Sequence, residues 1–551
     1  MKFFKFVCYA AGFTVLPVVA QANWVARANQ ATGQLDAQVV SESGLNKLAP
    51  GGPGSPVKFG TAIDYPSGGS EADSVALGDL NGDGILDVVV ANFCLSESDC
   101  SEGTVSVLIG NGKGGFQAAV SYGSGGVMAS SVAIADVNGD GKLDLVVANY
   151  CQSSSTCNYL FGPGSVSVLL GNGDGTFQAA VSYGSGGCNA DSVAVADVNG
   201  DGHPDLVVAN YSVNPTCGAY DPGEVSVLLG NGDGTFQPAV SYLSGGYSYS
   251  KVAVGDFNSD GHLDLVVTNG CINEGNCNNG VVNVLLGNRD GTFQSPVTYS
   301  SGGDYAKSVA IADLNRDGHP DLVVSNFCQE FNCYHGGVSV LLGNGNGTFQ
   351  PAVSYGSGGP YGYSVAIADV NGDGYPDLVV ADTCLSKLNC MTGSFVGEVG
   401  VLAGNGDGTF QPAVPVSTRG KYAESVAIGD VNGDGRPDLV VADSKSSTVA
   451  VLDNEFTVSP TVKVTSSPDP SLINQPVTFT ATITANLPIP NGQTVTFYSG
   501  STEIGTGATS NGVAALNASF PKAKTYKIKA KYSGGGFLKA GSGSVEQVVN
   551  P

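Results

Sequence analysis

The chain has 551 residues, 48 acidic against 23 basic, and a formal net charge of −25. Such an excess of negative charge excludes binding to nucleic-acid phosphates and favours bound cations or solubility. Hydrophobic residues make up 42% and glycine and proline number 80 and 26, which excludes a disordered acidic tail and suits an all-β chain with many tight turns.

In chain order, the first element is a leader. Lys2 and Lys5 precede a mostly apolar run from Phe6 to Ala20, and Ala20-Gln21-Ala22 fits a small-x-small cleavage site. Residues 1–22 are therefore expected to be a secretory signal peptide, whose loss takes the charge from −25 to −27. No later apolar run is long enough to span a bilayer, so a secreted or cell-surface protein without membrane insertion is expected. Residues 23–56 read as a loosely structured lead-in. Thirteen cysteines are present; without Cys8 of the leader twelve remain, an even number that reads as disulfides in an exported protein.

From Asp79 a nine-residue acidic stretch recurs seven times, at steps of 57, 61, 59, 57, 56 and 61 residues. A fixed period of this length with β-type content points to a propeller or another repeat array. One unit, residues 131–183, divides into four strands. "SVAIA" alternates bulky and small residues, as an inner strand near a crowded axis would. "LDLVVAN" is almost continuously apolar and reads as buried on both faces. "SVSVLLG" follows a variable loop, "NGDGT" is a hairpin turn, and "FQAAVSY" is the fourth strand. The glycine-rich "GSGG" reads as a connection to the next unit. The last unit lacks a fourth strand, and "KFGTAIDYPSGG" at 58–69 matches the missing pattern. Residues 57–456 are thus expected to form a seven-bladed β-propeller of four-stranded blades, closed by the N-terminal strand. Residues 457–551 carry short strand-like runs between turn residues and suggest an immunoglobulin-like β-sandwich.

The acidic stretches are the candidate sites. Position 1 is Asp79, Asp136, Asp197, Asp256, Asp313, Asp369 and Asp430; position 3 is Asn81, Asn138, Asn199, Asn258, Asn315, Asn371 and Asn432. Position 5 is Asp83, Asp140, Asp201, Asp260, Asp317, Asp373 and Asp434; position 9 is Asp87, Asp144, Asp205, Asp264, Asp321, Asp377 and Asp438. Position 7 varies (Ile85, Lys142, His203, His262, His319, Tyr375, Arg436), so only its backbone carbonyl can serve a common role. An EF-hand is excluded, because position 12 from Asp136 is Val147, inside an apolar strand, where a bidentate Glu is needed. A plain turn needs one or two Asn, Asp or Gly residues, not three carboxylates that repel one another without a cation. Several hard oxygens in a flexible loop suit calcium. Magnesium demands stricter geometry, and zinc would want Cys or His ligands. About seven structural calcium ions are expected.

These repeats, "SVAIADVNGDGKLDLVVANY" with "GNGDGTFQ", resemble FG-GAP/VCBS repeats of the kind found in integrin α-subunit propellers and bacterial surface proteins, over roughly residues 57–455. The resemblance implies that each D-x-N-x-D-G-x-x-D or closely similar loop joins the first and second strands of a blade and binds calcium. It also implies that partners bind on the opposite face. The segment "TSSPDPSLINQPVTFTATIT" is similar to bacterial Ig-like repeats.

Five units carry a cysteine pair between second and third strands: Cys94 and Cys100, Cys151 and Cys157, Cys271 and Cys277, Cys328 and Cys333, Cys384 and Cys390. A Cys188–Cys217 bond uses the remaining two. The same face collects aromatic residues, Tyr150, Tyr159, Phe161, Tyr220, Tyr247, Tyr249, Tyr305, Phe331, Tyr334, Tyr361, Tyr363 and Tyr422, which suit recognition of a protein or glycan. A non-catalytic adhesion or binding protein with an extracellular protein or glycan ligand is the expected function. The alternatives are a polysaccharide-active lyase or hydrolase, with His335 as the candidate general base, and a structural surface-layer component.

Overall fold

The computed structural model describes residues 57–157, 162–212, 217, 221–273, 277–329, 335–384, 390 and 395–551; the expected signal peptide and lead-in lie outside them. Each repeat builds a four-stranded antiparallel arrangement. In the first, Ser70–Gly78, Asp87–Cys94, Thr104–Leu108 and Val120–Gly123 pair in that order. All eight residues of Asp87–Cys94 are buried, as its apolar run requires, and the same holds for Asp144–Cys151 in the second unit. Each first strand bulges before its apolar end, as between Ala129 and Ser131, which turns the polar residues there off the regular alternation.

Two expectations about strands need correction. The fourth strand begins later than "FQ": in the second unit it starts at Val181, and Phe177 makes only an isolated bridge to Gly171. Secondly, "GSGG" and its counterpart "LSGG" are not always breaks. Val181–Ala196 and Val240–Gly255 each serve as fourth strand of one unit and first of the next, so units two to four join in a ten-stranded sheet. Gly186 and Gly245, at φ of 94° and 93°, turn the chain there while pairing resumes at Pro163–Cys188 and Pro222–Tyr247.

The last unit contributes Ala423–Gly429, Asp438–Asp443 and Thr448–Leu452, and Ile63–Pro66 pairs on its outer edge, from Ile63–Val451 to Pro66–Thr448. Tyr65 then meets Phe116 of the first unit edge-to-face, with centroids 5.4 Å apart and planes at 82°. The same contact recurs from unit to unit: Tyr122–Phe177, Tyr183–Phe236, Tyr242–Phe293, Tyr299–Phe349 and Tyr355–Phe410, at 5.6–5.8 Å. Each first strand packs on the first strand of the next unit, and Ala423–Gly429 packs on Ser70–Gly78.

A second inter-unit link was not anticipated. Within the apolar second strands sits a fully buried asparagine. Asn92 Nδ2 donates to Ser67 O in the preceding connection (3.3 Å) and to Ser106 Oγ (3.0 Å), and Asn149, Asn210 and Asn326 repeat the pattern. Units six and seven replace it by aspartate. Asp382 accepts from Ser357 Oγ at 2.6 Å and Gly359 N at 3.2 Å, and Asp443 from Thr418 Oγ1 at 2.8 Å. Asp382 faces Glu398 across the strands, and neither Glu398 oxygen has a hydrogen-bond partner among the described residues. The first strands also bury charge: Lys251 lies 3.5 Å from the Asp191 carboxylate, and burial pushes the nearby Lys307 ammonium down to about 8.

The C-terminal part packs two sheets over one core. Thr461–Ser467, Val477–Thr484 and Val513–Ala518 form one; Ser471–Leu472, Gly541–Asn550, Thr525–Tyr532, Thr494–Ser499 and Thr502–Ala508 form the other. Phe479, Phe497, Ile528 and Tyr532 lie between them. The chain reaches this part within a few residues of the last repeat strand, and Val458 is fixed by Val458 N to Phe537 O (2.7 Å) and Lys539 N to Val458 O (2.9 Å).

The disulfides Cys94–Cys100, Cys151–Cys157, Cys188–Cys217, Cys271–Cys277 and Cys384–Cys390 are formed as expected. Cys328 is also disulfide-bonded, while Cys333 lies outside the described residues. Disulfides in this number persist in oxidising surroundings and place the chain outside the cytoplasm. Among the described residues no helix is long and apolar enough to cross a membrane.

Candidate metal centres

All seven acidic loops join the first strand of a unit to its second. The turn needs left-handed backbone twice: Gly82 and Gly84 stand at φ of 75° and 82°. Position 6 was recognisable as the essential glycine. Position 4 was not, because Ser259 (59°) and Arg316 (62°) adopt the same conformation there.

One frame of hydrogen bonds repeats around the carboxylates. Oδ2 of the position 1 Asp accepts the position 6 N–H at 2.7–2.9 Å in every loop. The position 3 Asn Oδ1 accepts the position 5 N–H at 2.8–3.0 Å. The position 5 Asp Oδ1 accepts the position 7 N–H, also at 2.8–3.0 Å. The position 9 Asp is the buried anchor. Its Oδ2 takes the position 2 N–H at 2.9–3.1 Å. Its Oδ1 takes an N–H just beyond the third strand at 2.7–2.8 Å, from Gly110 in the first unit to Asn454 in the last. One carboxylate thus ties the loop to both sides of its own sheet.

Burial raises the position 9 carboxyls Asp87, Asp144, Asp205, Asp264 and Asp321 to about 6 despite these N–H donors, and the position 1 and 5 carboxylates push them further up. Asp438 is raised to about 7, first by burial, and Asp377 well above its usual range. The position 1 carboxyl of unit six, Asp369, is also lifted to about 6 by burial. Each loop therefore gathers negative charge in a place that disfavours it.

The donor set is all hard oxygen: three carboxylates and an amide per loop, plus backbone carbonyls, which fits a calcium-sized cation. The side chains are turned onto loop amides rather than onto one common point. Among the described residues no three Asp, Glu, His or Cys side chains stand grouped as they would around an ion. In unit six the Asp373 Oδ2 is buried without a hydrogen-bond partner among the described residues. The position 7 side chains keep to one place of their own: Ile85, Lys142, His203, His319 and Tyr375 lie over hairpin glycines of their units, so that a Cβ on Gly232 would run into the His203 ring. His203 is exposed, and His262 and His319 are half-buried.

The aromatic face is thinner than the sequence suggested. Tyr150 and Tyr363 are each only 2% exposed and belong to the interior; Tyr150 packs edge-to-face on Phe93 at 5.9 Å. Tyr247, Tyr305, Tyr361 and Tyr422 are half-buried, with Tyr361 stacked on Phe327 at 4.5 Å and Tyr422 against Phe395 at 4.8 Å. Tyr159, Phe161, Tyr220, Phe331, Tyr334 and the side chain of Tyr249 lie outside the described residues. His335 is exposed, with its carbonyl accepting from Gln329 N at 2.8 Å.

The FG-GAP-like repeat matches residues 79–147, 158–208, 216–267, 271–324, 330–380 and 390–471, more than half of the chain. The chain belongs to the FG-GAP-like repeat family. Five of the six matched segments of this repeat protein carry one acidic loop each, and the first, 79–147, carries two. Residues 464–550 match the bacterial Ig-like domain (group 3). Among curated proteins, the phosphatidylinositol-glycan-specific phospholipase D of Bos taurus is 33% identical over 154 residues, 24% of this chain and 17% of that protein. Integrin alpha pat-2 of Caenorhabditis elegans is 26% identical over 222 residues, 36% of this chain and 18% of that protein. Its Caenorhabditis briggsae counterpart is 28% identical over 282 residues, 44% and 21% respectively. The FG-GAP-like chain thus spans about a fifth of the length of the curated relatives it matches.

Proposed function

We propose that this FG-GAP repeat protein is a non-catalytic, calcium-stabilised binding or adhesion protein of the extracellular space or cell surface. Its seven units close into a seven-bladed propeller, and a protein or glycan partner is held on the face opposite the acidic loops. The observation that carries the reading is the repetition of one hydrogen-bond frame in all seven loops. Seven turns that differ at position 7 and in their flanking loops keep three carboxylates and an amide in the same places, a costly arrangement unless a cation shares it. Closure is supported by the Tyr65–Phe116 contact, which continues the edge-to-face series across the seam between the last unit and the first. Calcium clamps the strand turns, and the disulfide-bonded loops at the other face hold a surface whose ordering cost on binding is already met.

Screening the full chain on glycan and extracellular-protein arrays in calcium and in EDTA, with bond cleavage followed in the same wells, tests this. Calcium-dependent retention without cleavage is expected. Cleavage of a polysaccharide would overturn the non-catalytic reading, and calcium-driven self-assembly without any ligand would replace it by a surface-layer role.

A further inference from the structure

The acidic loops of the first five units are open. Their position 5 aspartates are exposed, and a Cβ built on their position 4 or 6 glycines would meet nothing within 4 Å. The loop of unit six is enclosed. Asn371 and Asp373 are 0% and 1% exposed, and Asp373 Oδ2 is the orphaned oxygen noted above. The cover comes from the Ig-like part, since a Cβ on Gly372 would run into the Phe537 ring. The opposite wall is Arg316 from unit five, whose guanidinium lies 4.4 Å from the centre of the Tyr375 ring.

Phe537 is held in place from both sides. Its ring lies 6.3 Å from that of Phe456, and its carbonyl accepts from Val458 N at 2.7 Å. Asn454, which precedes this linker, donates through Nδ2 to Val370 O in the loop of unit six (2.7 Å) and through its N–H to Asp438 in the loop of unit seven (2.7 Å). Loop seven is joined to the same cover, because Arg436 donates to Gly536 O at 3.1 Å. The same guanidinium also pairs with the Asp434 carboxylate, so at that loop a protein cation already shares the position 5 ligand. In loop six the charge of the Arg316 guanidinium pulls the Asp373 carboxyl down against the burial that raises it, and Asp373 Oδ2 still has no hydrogen-bond partner among the described residues.

We propose that the Ig-like domain is a lid on the loop of unit six, with Phe537 as its latch, so that one cation is occluded there and its release requires the two domains to part. This rests on the calcium reading given above. Coupling of this kind is reciprocal: what slows escape of the ion by holding the lid also makes the ion hold the lid. A cation under Phe537 would satisfy the buried Asp373 Oδ2, and removal of that ion leaves an enclosed carboxylate oxygen without a partner, which favours opening to water. The Ig-like domain would then be a calcium-dependent rigid extension of the repeat domain.

The test is calcium release from the calcium-loaded full chain on rapid mixing with a fluorescent chelator. Wild type is expected to release about one ion in seven at least tenfold more slowly than the rest, within the range of typical coupling. Phe537→Ala is expected to merge that fraction with the others at unchanged total calcium. Small-angle scattering of wild type should show the domains separating on chelation. Uniform fast release from wild type, which needs no variant, would overturn the lid while leaving the calcium sites standing. Absence of any bound calcium would overturn both.

Discussion

Removing divalent cations with EDTA lowers the melting temperature of this protein by about 10–20 °C. At tenfold excess over its dissociation constant, an ion bound only to the folded state contributes about 1.4 kcal/mol. Seven sites then supply about 10 kcal/mol, comparable with the whole stability of a typical domain of 5–15 kcal/mol. For repeat domains of this size each kcal/mol moves the midpoint by about 1–2 °C, extrapolating from smaller domains. The loss is amplified by what chelation leaves behind, three carboxylates per loop of which one is a buried position 9 anchor such as Asp144, 0% exposed. Differential scanning calorimetry in calcium and in EDTA measures it; coincident transitions would contradict the effect.

Raising the pH from 6 to 9.5 destabilises the calcium-loaded protein, and Glu398→Gln removes much of that loss. Burial lifts Glu398 from its ordinary 4.5 to about 9, helped by the facing Asp382 carboxyl, which burial itself raises to about 7. The sign follows from linkage. A carboxyl that holds its proton more tightly when folded contributes stability that is complete below its unfolded value, near pH 4.5. That contribution declines as pH rises and is lost through about 9. Each tenfold change in proton affinity is worth about 1.4 kcal/mol, so the fall amounts to several kcal/mol. Glutamine keeps the shape and carries no charge. E398Q is therefore expected to match wild type at pH 5 and to be clearly more stable at pH 9 in thermal melts. Parallel pH profiles for the two proteins would show that Glu398 does not titrate in the folded state.

Much of this organisation was legible in the residues. The loops are spelled out by D-x-N-x-D and Asp at position 9, and the missing outer strand of the last unit by the likeness of "AIDYPSGG" to "AVSYGSGG". The cysteine pairs were legible because each closes a short loop in a repeat context. What escaped the sequence has a common cause: it depends on tertiary packing against a neighbour. Ser259 and Arg316 adopt left-handed backbone because the loop frame imposes it, although neither residue type favours it. Asn92 and its counterparts look like interruptions of an apolar strand until the preceding unit supplies their acceptor. A polar residue at a fixed place in seven buried strands was the available signal. Tyr150 and Tyr363 seemed fit for a binding face but pack inward on Phe93 and Phe327, since a tyrosine in a loop-rich end is as well suited to interior packing as to ligand contact. The contact between Phe537 and Gly372 joins residues 165 positions apart in separate domains, and no local pattern announces it.

The central claim is that each acidic loop holds a calcium ion. Its most direct test is the metal content of the purified full chain after equilibration in micromolar free calcium, counted by atomic emission against protein concentration from amino-acid analysis. About seven calcium ions per chain is the expected result, falling to about six when Asp144→Ala removes the anchor of one loop. A content of zero or one ion per chain, unchanged by that substitution, would contradict it.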